Sequence, residues 1–109
     1  MPTYIQNDIR FSTPPPGAAG LNALTVKEYL PKDGKLTIVS SKGAEPHYIH
    51  GENFRIHVGK KPSGRHSVAM LFAADPFLVR HKKQEDLVLD SGVYYIAVTG
   101  NGGAIPIFQ

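Results

Sequence analysis

The sequence predicts an all-β protein: a single-domain antiparallel β-sandwich of jelly-roll-like plan, or a small barrel, with an extended N-terminal arm. Three observations carry this. Eleven glycines and nine prolines cut the 109 residues into short segments. Those segments are rich in Val, Ile, Leu, Tyr and Phe, which suit a pleated, half-buried surface. Their starts recur at roughly 8–12-residue spacing, as in sandwiches and barrels. The length fits one domain and not two. A domain of this size buries about 65% of the surface its unfolded chain exposes, enough for a modest core. Cysteine is absent, so the core needs no disulfide and can have none.

Residues 1–23 read as the arm and residues 24–109 as the sandwich. In the arm, Phe11 precedes the run Pro14, Pro15, Pro16 and then Gly17–Gly20, which favours polyproline II and then a flexible chain. Residues 21–30 hold the one helical option, a turn or two, which Thr25 and Val26 weaken. Residues 25–30 and 36–39 read as strands joined through Asp33-Gly34, the pair of a tight hairpin turn. In residues 54–58 the apolar Phe54, Ile56 and Val58 share one face, and Arg55 and His57 the other. Residues 67–72 form the next run, which Asp75-Pro76 breaks and residues 77–79 resume. Residues 87–89, the turn at 90–92 and the long run 93–99 come next. Gly100–Gly103 is a further turn before residues 104–108.

Charge is distributed unevenly. The net charge is +3 and the pI about 9.3. Between Glu52 and Asp75 four cations stand with no acid: Arg55, Lys60, Lys61 and Arg65. Arg80, Lys82 and Lys83 form a second cluster, offset in part by Glu85 and Asp86. By contrast, residues 11–26 and 91–109 carry no charged side chain. Exposing Ile105, Ile107 and Phe108 would cost about 1.5–3 kcal/mol each, so the tail is expected to be buried in its own domain or against a neighbour. Residues 93–99 read as a central strand covered on both faces; their two-sided apolarity equally suits one face on the core and the other on a subunit. Residues 104–108, stiffened by Pro106, read as the part that reaches outward. The expected subunit interface is therefore Phe11, Pro14, Pro15 and Pro16 at one end and Ile105, Pro106, Ile107 and Phe108 at the other.

Motifs for chemistry are sparse. No apolar run approaches the roughly 18 residues of a membrane span, and no secretory signal is visible at the start. His47 and His50 are three apart, which puts them on opposite faces of a strand. A two-histidine, one-carboxylate metal site from His47, His57 and Glu52, with His81 in reserve, is one reading; ordinary surface or half-buried histidines are the plainer one. Residues 59–66 have the glycine spacing of a phosphate-binding loop. Arg65-His66 stands where its Lys-Ser/Thr pair belongs, so a basic hairpin loop is the better reading. Gly-x-Ser-x-Gly is absent, and Glu85 and Asp86 read as a solvated loop. The sequence therefore predicts no enzyme and no cofactor.

Two binding readings remain. Arg55, Lys60, Lys61 and Arg65 are candidates for contacting a polyanion. Single-strand binding also needs aromatics on the basic face; alternation points Phe54 away, and one of Tyr94 and Tyr95 must face outward. The other reading is structural. The arm at residues 11–20, the hairpin-rich body, the size and the lack of cysteine resemble the small head-decoration, or cement, proteins of tailed bacteriophages. The resemblance implies a β domain that docks on protein subunits, its own copies or a major capsid protein, and stabilises the head by buried area and avidity. It implies a place on the virion surface; otherwise the cytoplasm is expected. The structural reading ranks first, nucleic acid second, and a metal- or ligand-binding barrel third.

Overall fold

The computed structural model describes residues 3–13, 25–60, 67–100 and 104–109. Eleven strands are found among them: β1 (Thr3–Gln6), β2 (Ile9–Ser12), β3 (Thr25–Tyr29), β4 (Lys35–Val39), β5 (His47–His50), β6 (Phe54–Lys60), β7 (Ser67–Ala73), β8 (Phe77–His81), β9 (Gln84–Leu89), β10 (Gly92–Val98) and β11 (Ile107–Phe108). They form two sheets, ordered β1-β2-β10-β7-β6-β3 and β11-β4-β5-β8-β9. Every ladder is antiparallel. The sheets pack face to face as a sandwich and do not close into a barrel. No helix among the described residues is long and apolar enough to cross a membrane.

Alternation along each strand builds the core. From the six-stranded sheet come Ile9, Phe11, Ile56, Leu71 and Ile96; from the five-stranded sheet come Ile38, Ile49, Val79 and Leu89. Phe77 joins the layers. Its ring stands 5.5 Å from Tyr94 in an edge-on contact, 6.5 Å from Phe11 and 6.4 Å from Phe54. Such tilted and edge-on pairs add to the area they bury.

Three expectations need correction. First, the arm does not begin at residue 1. Residues 3–12 form the hairpin β1–β2, and β2 pairs with β10 in register Phe11↔Ile96. The alternation Ile9, Arg10, Phe11, Ser12 sends both apolar side chains inward, where they are fully buried. Asn7 turns the hairpin at φ 54°, a conformation Asn tolerates. Phe11 is thus core and not a subunit contact; Pro14, Pro15 and Pro16 lie outside the described residues.

Second, the tail folds back on its own domain. Phe108 is buried, pairs with Ile38 and packs 5.2 Å from Tyr29. Gln109 and Thr37 exchange backbone hydrogen bonds of 2.8 and 3.2 Å. Pro106 is buried and Ile105 packs half-buried on the core, so among the four tail residues only Ile107 points out.

Third, the Asp33-Gly34 turn forms, but the strands beside it part. Asp33 and Gly34 have φ of 55° and 74°, the two positive values of a type I′ turn, and Lys32 bridges Lys35. Pro31 has no N–H to extend that ladder. The chain instead crosses between layers: β3 pairs with β6 and β4 with β5. Residues 84–86, read as loop, extend β9 at the sheet edge, where Glu85 and Asp86 stay exposed.

Candidate functional site

The two outer faces of the sandwich differ. On the six-stranded sheet, register aligns Arg55, Phe72 and Val93 in one row and Glu28, His57, Met70, Tyr95 and Ser12 in the next. Ala97, Arg10 and Ile5 form a third. The centre of this face is apolar. Met70 and Ala97 are 5% and 8% exposed yet stand outside the core cluster, and Val68, Phe72, Val93 and Tyr95 are half-buried. Its rim is polar. Arg55 lies over the Phe72 ring at 5.6 Å, the His57 ring meets Phe72 edge-on at 5.2 Å, and His57 Nε2 is 2.6 Å from the Glu28 carboxylate. On the five-stranded sheet the outward rows are Lys35, His50, Leu78 and Val88, and Thr37, Tyr48 and Arg80. There Lys35 lies over Tyr48 at 5.0 Å and Arg80 pairs with Asp86 at 3.3 Å.

A second polar feature lies inside one end of the sandwich. The β1–β2 hairpin brings Gln6 and Asp8 to it, the end of β4 brings Ser40, β5 brings His47, and β8 brings His81. The β8–β9 register shifts between Val79 and His81. Gln6, nearly fully buried, donates through Nε2 to the carbonyls of Val79 and Glu85, both at 2.9 Å. That choice fixes the amide, so Oε1 accepts from His47 Nδ1 at 2.9 Å. The other ring nitrogen, Nε2, faces Asp8 Oδ1 at 2.9 Å, and Ser40 Oγ donates to Asp8 Oδ2. Both acceptors are satisfied at once only when each His47 nitrogen carries a proton. Burial resists that charge and pushes the His47 pKa down; Asp8 opposes the shift, and His81 adds to it. Burial works to raise the Asp8 pKa, but hydrogen bonds from Ser40 and His47 hold it below its ordinary value.

His81 stacks on His47 with ring centres 4.3 Å apart. The Lys83 backbone N–H donates to His81 Nδ1 at 3.1 Å, so the ring proton is on Nε2. That atom faces Glu45 Oε2 at 3.9 Å, too far for a hydrogen bond, and among the described residues neither atom has a hydrogen-bond partner. Glu45 is held by Lys83 Nζ at 3.2 Å. Beside this pair an open cleft of about 690 Å³ runs along β5, β8 and β9, lined by Glu45, Tyr48, Arg80, His81, Gln84 and Asp86 among others.

The network is not a nucleophile and base. Ser40 bonds Asp8 and not histidine, and both His47 nitrogens are engaged. His47, His57 and Glu52 do not assemble: His47 is in the five-stranded sheet and His57 in the six-stranded one. Among the described residues no group of three or more His, Cys, Asp or Glu is placed to hold a metal ion. Of the polyanion candidates, Arg55 is exposed on the apolar outer face. Lys60 is described only as strand backbone, and Lys61 and Arg65 lie outside the described residues. Tyr95 is the outward member of the tyrosine pair; Tyr94 is buried and donates to the Asp90 carbonyl at 2.8 Å.

Sequence reasoning missed Gln6, Asp8, Ser40 and Glu45, which lie far from their partners along the chain and carry no local motif. The two-sided apolarity of residues 93–98 pointed to a subunit-facing side of that strand, but not to the β2, β6 and β7 residues that share the face. No protein-family model, curated protein or solved structure matches this chain.

Proposed function

We propose that this chain is a structural assembly protein, a β-sandwich that docks on neighbouring protein subunits, and that a role as a phage capsid decoration or cement protein is its finer form. One observation carries the reading. The outer face of the six-stranded sheet presents the half-buried Phe72, Val93 and Tyr95, beside the buried Met70 and Ala97, inside a rim of Arg10, Arg55 and the His57–Glu28 pair. An apolar centre rich in aromatics and Met, with Arg and other polar groups around it, is the make-up of protein interfaces. Phe11 and Phe108 serve the core, so the docking surface in this reading is the outer face and not those two side chains. The test is sedimentation velocity over a concentration series, alone and with candidate particles, for the natural chain and for Phe72→Glu. Association that Phe72→Glu abolishes supports the reading. A chain that stays monomeric and particle-free at every concentration overturns it.

A second reading rests on the same face. Arg55 and Arg10 flank Phe72 and Tyr95, which joins cations to stacking surfaces as single-strand binders do. Affinity for an oligonucleotide that falls steeply with salt, and less steeply in Arg55→Ala, favours nucleic acid.

A further inference from the structure

We infer that the cleft along β5, β8 and β9 binds a carbohydrate, which places its hydroxyl groups on the paired donors and acceptors of His81, Glu45, Arg80 and Asp86. This site lies on the five-stranded sheet and does not depend on the docking face. The central observation is the His81–Glu45 pair. His81 is among the residues lining the cleft and its side chain is 1% exposed; among the described residues neither its Nε2 nor the nearby Glu45 Oε2 has a hydrogen-bond partner. Buried polar atoms left this way are costly, and each asks for a ligand or water. The chemistry of the gap selects the class. Nε2–H needs an acceptor and the carboxylate oxygen needs a donor. A bare anion would be repelled by Glu45, and a cation by the His81 N–H. A hydroxyl both donates and accepts, and its oxygen at hydrogen-bond distance from each atom bridges their 3.9 Å separation once Glu45 turns aside.

The rest of the cleft repeats that pattern. Arg80 spends Nε on the two oxygens of Asp86, at 3.3 and 3.4 Å, so donors and acceptors again stand side by side. Gln84 adds an amide that does both. The half-buried Tyr48 ring supplies an apolar wall for the C–H face of a sugar. The lining carries two acids, Glu45 and Asp86, against two cations, Arg80 and Lys82, so it does not favour one sign of charge. Access is through Glu45. It sits on the irregular segment before β5 and is tied by an ion pair to an exposed lysine, a link of small worth, so its carboxylate can turn to admit a hydroxyl.

The test uses the full chain, displayed as a tetramer on an array of immobilised oligosaccharides ending in neutral hexose, N-acetylhexosamine and uronate rings. The best-retained sugar is then titrated against the natural chain by amide chemical-shift NMR. The expected result is retention of a subset of sugars, with shifts at His81 and Gln84. Affinity falls about tenfold or more in both Glu45→Ala and Arg80→Ala, because hydroxyl groups of the bound sugar lose their partners, and is unchanged in Lys32→Ala, at the exposed turn before β4. Melting curves for the variants check that each is folded. An array that retains no sugar, or a sugar bound equally well by Glu45→Ala, overturns the assignment.

Discussion

Gln6 and His47 meet across the sandwich, the Gln6 amide oxygen 2.9 Å from His47 Nδ1. One belongs to the edge strand of the six-stranded sheet, the other to the interior of the five-stranded one. The same amide donates to the Val79 and Glu85 carbonyls beside the β8–β9 irregularity. Replacing Gln6 by Ala strands two carbonyls and a ring nitrogen inside the protein. A buried polar group that loses its partner costs about 1–3 kcal/mol, so Gln6→Ala is expected to cost about 2–4 kcal/mol in urea unfolding. A change no larger than that of an exposed substitution would show that water replaces the amide.

The acid behaviour of the fold is set by His47 and Asp8. Burial keeps the folded His47 pKa below its ordinary 6.5, so the unfolded chain binds the extra proton first. Stability from this group is complete above about pH 6.5 and declines as pH falls from there toward the folded value. Asp8 has a folded pKa below 3.8. Its contribution is present above about that pH and is lost as pH falls through the folded value. Urea midpoints measured against pH are expected to fall in two stages on acidification. In His47→Gln the upper stage disappears and the lower one remains. A midpoint that rises as pH drops from 7 to 5 would contradict the sign.

The strand alternation was legible in the sequence, and the layer assignment was not. Phe54, Ile56 and Val58 against Arg55 and His57 gave the faces of β6 directly, because the period of two is local. Asp33-Gly34 gave the turn, since two positive φ values in succession restrict the residues that can stand there. Yet nothing local says that β3 leaves its neighbour to pair with β6. That choice rests on pairings remote in sequence, as does the Asp8–His47 contact. Ile9 and Phe11 were hidden by the proline and glycine run on their C-terminal side. That run made the whole N-terminal stretch read as arm, although its first residues alternate like any half-buried strand.

The tail provides a direct check of burial against exposure. Phe108 is 8% exposed in the core, and its neighbour Ile107 is 43% exposed on the outer side of β11. Phe108→Ala removes a buried ring and is expected to cost about 3–5 kcal/mol. Ile107→Ala is expected to stay within about 0.5 kcal/mol. Equal effects from the two would mean that the tail is not anchored through Phe108, and the assignment of this segment to the core would fail.

The corner between the sheets is set by backbone conformation and not by packing. Gly34 holds φ +74°, and a Cβ built there meets nothing closer than 3.9 Å, at Glu52 and the Gly51 carbonyl. An added methyl group therefore has space but the wrong backbone, and the left-handed conformation costs an ordinary residue about 1–2 kcal/mol. Gly34→Ala is expected to lower stability by about that amount, whereas Gly34→Asn loses less, because Asn adopts this conformation more readily. The Gly51 N–H also donates to the Gly34 carbonyl at 2.9 Å, so a shifted turn would loosen the entry to β6 as well. Amide exchange at Gly51 reports that second effect. Faster exchange in Gly34→Ala than in Gly34→Asn ties the turn to the β5–β6 connection; equal exchange separates them.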